Sequence, residues 1–146
     1  MKSSFLPIFL VAIMWCLPSD AKEAVGNFKP LKIERVIDGD TIVASGQKIR
    51  LWGIDTPERG QPLYSTATLY LRSILSEGGL ACKFIEFDRY KRAVMHCEIN
   101  GADIGAMMVL MGMARDFEKY SGGFYQQEQI EAQKYRRGIW GTAQPK

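Results

Sequence analysis

The sequence predicts an α+β fold, mainly β: a small, strongly curved five-stranded barrel with three helices packed around it. Three observations predict it. The first part of the chain alternates apolar and polar residues between short turns. Gln61 to Ser76 then switches to helical spacing. A strand pair about a polar turn follows, and two further helical stretches close the chain. A length of 146 residues fits one domain. The net charge of +3 and pI of 8.8 are compatible with a polyanionic partner without requiring one.

Each element has its own signal. LKIERVI from Leu31 is the first strand, and it ends at Asp38-Gly39-Asp40. TIVAS is the second, with Gly46-Gln47 as the hairpin turn. KIRLWGI is the third and runs into Asp55-Thr56-Pro57-Glu58. Leu63, Ala67, Tyr70, Leu71, Ile74 and Leu75 form one helical stripe, and Gly78-Gly79 stops it. LACKFIEF and AVMHCEI are strands joined by Asp88-Arg89-Tyr90-Lys91-Arg92, and Asn100-Gly101 turns the chain again. Ile104 to Met113 is a short Met-rich helix whose methionines are expected in the core. The last helix runs from Phe124 to Arg137, and Trp140 is expected to dock on the core. The order β-β-β-α-β-β-α-α is that of an OB-fold barrel.

The N-terminus reads as a secretory signal. Lys2 precedes an apolar run, Phe5 to Leu17, of about 13 residues, too short for a comfortable membrane span. Ser19-Asp20-Ala21 predicts cleavage after Ala21. The expected layout is signal peptide 1–21, mobile leader 22–30, one domain 31–141 and tail 142–146. A secreted or periplasmic protein with no membrane attachment after cleavage is implied. Removal of Cys16 leaves Cys82 and Cys97, nearly symmetric about the turn at Tyr90. Directly opposed Cβ atoms lie about 4.5–5.5 Å apart, within disulfide reach. The alternative is a pair of buried thiols.

The acidic turns carry the chemistry. Asp40 and Asp55 each follow a strand, and converging strand ends would bring the two carboxylates together. Two carboxylates with a backbone carbonyl make a hard oxygen site, suited to Ca²⁺ or Mg²⁺ and poor for Zn²⁺. Glu58, beyond the rigid Pro57, would face the same region as a general base. Arg50 and Arg92 would neutralise charge building on a phosphoryl group. Singly, each motif is also ordinary turn chemistry, and the combination is what argues for a site.

RVIDGDTIVA, IRLWGIDTPE, DRYKR and EAQKYRRGIW, in this order, resemble four segments of the thermonuclease (staphylococcal nuclease-like) family. The resemblance spans Ile33 to Trp140. It implies Asp40, Asp55 and the Thr56 carbonyl as ligands of one Ca²⁺, with Mg²⁺ as the second candidate. It implies Glu58 as the residue activating water, and Arg50 and Arg92 as stabilisers of the transition state. Arg89 and Tyr90 would contact a neighbouring phosphate, and Tyr120 would line the base pocket. The substrates implied are single-stranded or frayed DNA and RNA, cut by a monomer to leave 3′-phosphates. A second reading is an OB-type nucleic-acid-binding module. A third is an accessory protein of the cell envelope.

Three features depart from the family pattern. Lys91 stands where the family has Gly, so a positive φ there would cost about 1–2 kcal/mol. Only Arg59-Gly60-Gln61 remains of a basic loop. Glu118 falls near a position where some members of the family place a stacking aromatic, with Phe117 and Tyr120 beside it. His96 reads as structural, Trp52 as barrel packing, and Arg136-Arg137 as a solvated helix end.

Overall fold

The computed structural model describes residues 27–141. The expected signal peptide, Cys16, the first part of the leader and the tail 142–146 lie outside the described residues. Four strands come first: β1 Lys29–Pro30, β2 Ile33–Val36, β3 Thr41–Ala44 and β4 Gln47–Leu51. β5 Ile54–Asp55, helix α1 Tyr64–Leu75, β6 Leu80–Phe87, β7 Ala93–Ile99 and β8 Ala102–Asp103 follow. α2 Ile104–Leu110, β9 Arg115–Asp116, α3 Glu118–Ser121, α4 Gln126–Lys134 and a 3₁₀ turn at Gly138–Trp140 complete the chain. The five longest strands are the five expected.

One curled sheet runs β1-β6-β7-β4-β3-β2, with β8 on β7. Its pairs are antiparallel except β4 with β7, where Ile49 faces Ala93 and Leu51 faces Met95. All four residues of β3 are buried, because helices cover one side and the curled sheet closes over the other. α1 buries Ala67, Leu71, Ile74 and Leu75, the stripe its spacing predicts. α2 adds Ile104, Met108 and Val109, all fully buried beside Ile42, Ile49 and Ile54. Each such side chain contributes about 1.5–3 kcal/mol on leaving water.

Several expected boundaries move. The first hairpin turns at Ser45-Gly46, both with positive φ, and Gln47 belongs to the strand. Lys29-Pro30, at the end of the expected leader, pair with Ala81 and Cys82 on β6. The third strand breaks at Trp52-Gly53, and its continuation β5 pairs with β9 as a separate two-stranded sheet. Gly53 has φ +73°, and a Cβ there would meet the Tyr125 ring at 3.0 Å, so only glycine fits this break. The last helix is shorter than expected, Gln126 to Lys134, and α3 is an additional single turn.

Cys82 and Cys97 are directly opposed on β6 and β7, with Cα atoms 4.1 Å apart, and their sulfurs are bonded. Met108 is core and Met107 and Met113 pack against it, but Met111 is 40% exposed because it caps the end of α2. Arg137 differs from expectation. Its guanidinium donates to the Leu110 carbonyl at 3.0 Å, so it satisfies the C-terminus of α2 rather than its own helix. His96 donates to Asp103 at 2.6 Å, and its ring lies among Phe28, Trp52 and Phe124. Trp52 packs partly buried against the core, as expected, and also joins this aromatic cluster. Trp140 is half-buried under the Arg115 guanidinium, 5.3 Å from its ring. Among the described residues no helix is long and apolar enough to cross a membrane.

Candidate active site

The site begins with the register of β3 and β4. Thr41 faces Arg50 across the ladder, and the Leu51 amide donates to the Asp40 carbonyl at 2.8 Å. Asp40, one residue before β3, is thereby fixed against Arg50. The Arg50 Nη1 lies 2.5 Å from Asp40 Oδ2. Its Nη2 donates to the Ile54 carbonyl at 3.1 Å and lies 3.9 Å from Asp55 Oδ1. Arg50 therefore ties both acidic strand ends together. Burial works against its charge, but Asp40 outweighs that and raises its pKa.

Asp40 is nearly buried, at 7% exposure, and two hydroxyls join Arg50 on its carboxylate. Oδ1 accepts from Thr41 Oγ1 at 3.0 Å and Oδ2 from Thr56 Oγ1 at 3.1 Å. Thr56 is buried and presents its hydroxyl to this cluster. Asp38 also enters: its Oδ1 accepts from the Asp40 amide at 3.2 Å, and its side chain lines the cleft. Burial, and then the charge of Asp40, push the Asp38 and Asp55 carboxyls above the ordinary carboxylate range.

That excess negative charge is what a cation would relieve. Among the described residues, no group of three or more His, Cys, Asp or Glu side chains is gathered closely enough to hold an ion alone. Asp40, Asp55 and Thr56 nonetheless supply only hard oxygen donors, with Asp38 beside them. The donor set fits a divalent cation that keeps several waters and excludes a thiophilic metal.

An open cleft of about 710 Å³ lies in front of this cluster. Asp40, Arg50, Glu58, Arg89, Tyr90, Arg92 and Tyr120 all line it. Asp55 and Thr56 are not among its lining residues. Glu58 is exposed, and its amide donates to Gln61 Oε1 at 2.7 Å in a tight turn. Its carboxylate thus projects from a braced backbone.

The opposite wall is the β6–β7 turn, organised by Asp88. Its Oδ1 accepts the amides of Tyr90 and Arg92, each at 2.9 Å, and its Oδ2 takes Arg92 Nε at 2.7 Å. Slight burial raises the Asp88 pKa, but the hydrogen bonds from the Arg92 amide and side chain and the Tyr90 amide outweigh it and hold it low. Lys91 has φ +60°, the left-handed conformation in which the family has Gly. The Arg89 and Arg92 guanidinium carbons lie 4.8 and 5.4 Å from the Tyr90 ring centroid.

The third wall depends on the small β5–β9 sheet. The Phe117 amide donates to the Gly53 carbonyl at 2.8 Å, which delivers Phe117, Lys119 and Tyr120 to the cleft. Tyr120 is half exposed, with its ring 4.8 Å from Phe117. Asp38, Lys119 and Phe87 line the cleft but are absent from the sequence-based site. Asp38 was legible as an acid two residues before Asp40. Lys119 and Phe87 carried no motif.

Residues 48–142 match the family model of the staphylococcal nuclease homologues. A protein of Escherichia coli named an uncharacterized endonuclease is 32% identical over 120 residues, covering 78% of each chain. The thermonuclease of Staphylococcus hyicus is 28% identical over 156 residues, covering 92% of each. A succinoglycan biosynthesis protein of Rhizobium meliloti is 30% identical, covering 75% of this chain and 63% of its own. An OB-type barrel with acidic strand ends tied by an arginine, and a family match over most of that barrel, place this chain in the staphylococcal nuclease family.

Proposed function

We propose that this protein is an exported, Ca²⁺-dependent nuclease that hydrolyses phosphodiester bonds of DNA and RNA. The observation that carries this reading is the convergence of Asp40, Arg50, Glu58 and Arg92 on one open cleft. Relatives named endonuclease and thermonuclease support it.

Asp40, Asp55 and the Thr56 carbonyl would hold the divalent ion, with Asp38 adding negative charge nearby. The ion, when bound, draws charge from the phosphate and helps to position the water. Glu58 takes the proton from that water as its oxygen attacks phosphorus. Arg50 leaves part of its Asp40 pairing to meet the phosphoryl oxygens, and Arg92 meets them from the opposite wall. The bond from phosphorus to the 5′-oxygen breaks, that oxygen takes a proton from solvent water and Glu58 returns its proton to solvent, leaving a 3′-phosphate and a 5′-hydroxyl. Arg89 and Tyr90 hold the neighbouring phosphate, and Tyr120 with Phe117 receives a base. The cleft is open and braced by exposed side chains, which favours single-stranded or frayed ends. A monomer suffices, since one chain contributes every group. The N-terminal segment and the Cys82–Cys97 bond suit an oxidising compartment, secreted or periplasmic.

The test is hydrolysis of heat-denatured DNA by protein spanning Lys22 to Lys146, with Ca²⁺, with Mg²⁺ and with a chelator. Ca²⁺-dependent cleavage that Glu58→Gln reduces by about 10²–10⁴-fold is the expected result. Equal activity in Glu58→Gln would remove Glu58 from its role. The relative named for succinoglycan biosynthesis favours a second reading, an accessory protein of the cell envelope. A folded protein with no cleavage in any of the three conditions would favour it.

A further inference from the structure

The pairing of β6 with β7 contains an irregularity at the edge of the cleft. Leu80 to Phe84 pair regularly with Ile99 to Met95, and then the register shifts so that Glu86 faces Val94. Ile85 is the extra residue. In a regular strand, residues three apart point to opposite faces. The bulge reverses this for Phe84 and Phe87. Their rings meet with centroids 4.9 Å apart and planes 56° apart. Bulges next to sites commonly re-aim a side chain in this way.

Both rings face solvent, Phe84 at 47% and Phe87 at 62% exposure. A single exposed Phe needs no account. Two in contact, held on one strand face by a bulge, and one of them lining the cleft with Tyr90 and Arg92, do. Tyr90 continues the surface at 64% exposure, with Arg89 and Arg92 against its ring. Aromatic faces alternating with guanidinium groups match a single strand, whose bases stack while its phosphates pair. An apolar protein partner would be matched by a rim without these charges.

We propose that Phe84 and Phe87 form a nucleobase-stacking subsite that extends the cleft along the substrate strand beyond the scissile phosphate. This rests on the nuclease reading and adds a grip that the shortened loop at Arg59-Gly60-Gln61 does not supply. The subsite is sequence-tolerant, because every base presents a π-face.

The test uses a fluorescein-labelled oligothymidylate of about eight nucleotides, within the span of one OB-type site. Anisotropy is read with Ca²⁺ present and in a Glu58→Gln background, so that the strand stays intact. Phe84→Ala with Phe87→Ala should raise Kd about five- to fifty-fold, and Phe87→Trp should keep the parent affinity. A strand of equal length made of abasic sites should bind the parent more weakly, with no further loss from the double substitution. Phe87→Leu, which keeps apolar bulk without a ring, should behave like Phe87→Ala and guards against a folding defect in the double variant. Unchanged affinity for the intact strand, or an equal loss for the abasic one, overturns the subsite. If the Phe variants match a parent that binds and cleaves, only the subsite falls. If the parent neither binds nor cleaves any strand, the nuclease reading falls and takes the subsite with it.

Discussion

Arg92 illustrates how a single residue is aimed. Its guanidinium is gripped through Nε by Asp88, which leaves the two terminal nitrogens for a phosphate. Removing it should therefore strip charge stabilisation from the transition state without loosening the turn, since Asp88 still holds the Tyr90 and residue-92 amides. Arg92→Ala should lower kcat by about 10²–10³-fold with little change in Tm, read by steady-state cleavage and thermal unfolding. Unchanged turnover would take Arg92 out of the site. Lys91 tests the same turn from its backbone. At φ +60° a side chain costs about 1–2 kcal/mol, while glycine adds unfolded-state entropy worth about 0.5–1 kcal/mol. Lys91→Gly should thus gain about 0.5–1 kcal/mol in urea unfolding and leave kcat near that of the parent. A loss of stability would show that Lys91 makes a compensating contact. The Lys91 question was legible in the sequence, because a turn residue flanked by Asp and Arg stands where the family pattern has Gly. Asp38 was less legible: beside Gly39 it reads as a turn former, and only the hydrogen bond to the Asp40 amide joins it to the site.

At the scale of elements, the strand signals were strong where one strand met another and weak where a strand changed partner. The β6–β7 hairpin was readable because its cysteines fall symmetrically about a polar turn. The break at Trp52-Gly53 was not, since Leu51 to Ile54 runs on without a polar residue and only the left-handed Gly53 divides it. The β5–β9 sheet that follows from the break places Phe117 and Tyr120, so the third wall of the cleft was invisible in local pattern. Helix α2 shows a similar dependence on distant residues. Asp103 caps it by accepting the Ala106 amide at 3.0 Å, and also takes His96 at 2.6 Å and the Tyr125 hydroxyl at 3.2 Å. Burial raises the Asp103 pKa, but the His96, Ala106 and Tyr125 hydrogen bonds outweigh it and hold the group below its ordinary value of 3.8. Its folded pKa is the lower one, so its contribution is complete above the ordinary value and is lost as pH falls through the folded value. Asp103→Asn should therefore lower stability at neutral pH and flatten the acid limb below about pH 4, measured by urea unfolding across pH. An acid limb with the parent slope would mean that other carboxylates set it.

The whole molecule is a small barrel whose site hangs on one long hairpin. The turn carrying Arg89, Tyr90 and Arg92 stands at the end of β6 and β7, while the disulfide locks their middle. Closing a loop with a sequence separation of 15 removes unfolded-chain entropy worth about 3 kcal/mol. The register itself does not need the bond. Leu80, Cys82, Ala93, Met95, Cys97 and Ile99 are all buried, and a one-residue slip would turn that set outward. Cys82→Ala with Cys97→Ala should consequently fold to the same structure but lose about 3 kcal/mol, or roughly 10–15 °C in Tm. Cleavage measured well below the lowered Tm should match the parent, because the buried register still aims the turn. Two outcomes would contradict this account. A loss below about 1 kcal/mol would mean that the unfolded chain is already constrained without the bond. A fall in turnover at low temperature, with the fold intact by circular dichroism, would mean that the bond rather than the buried register positions Arg92.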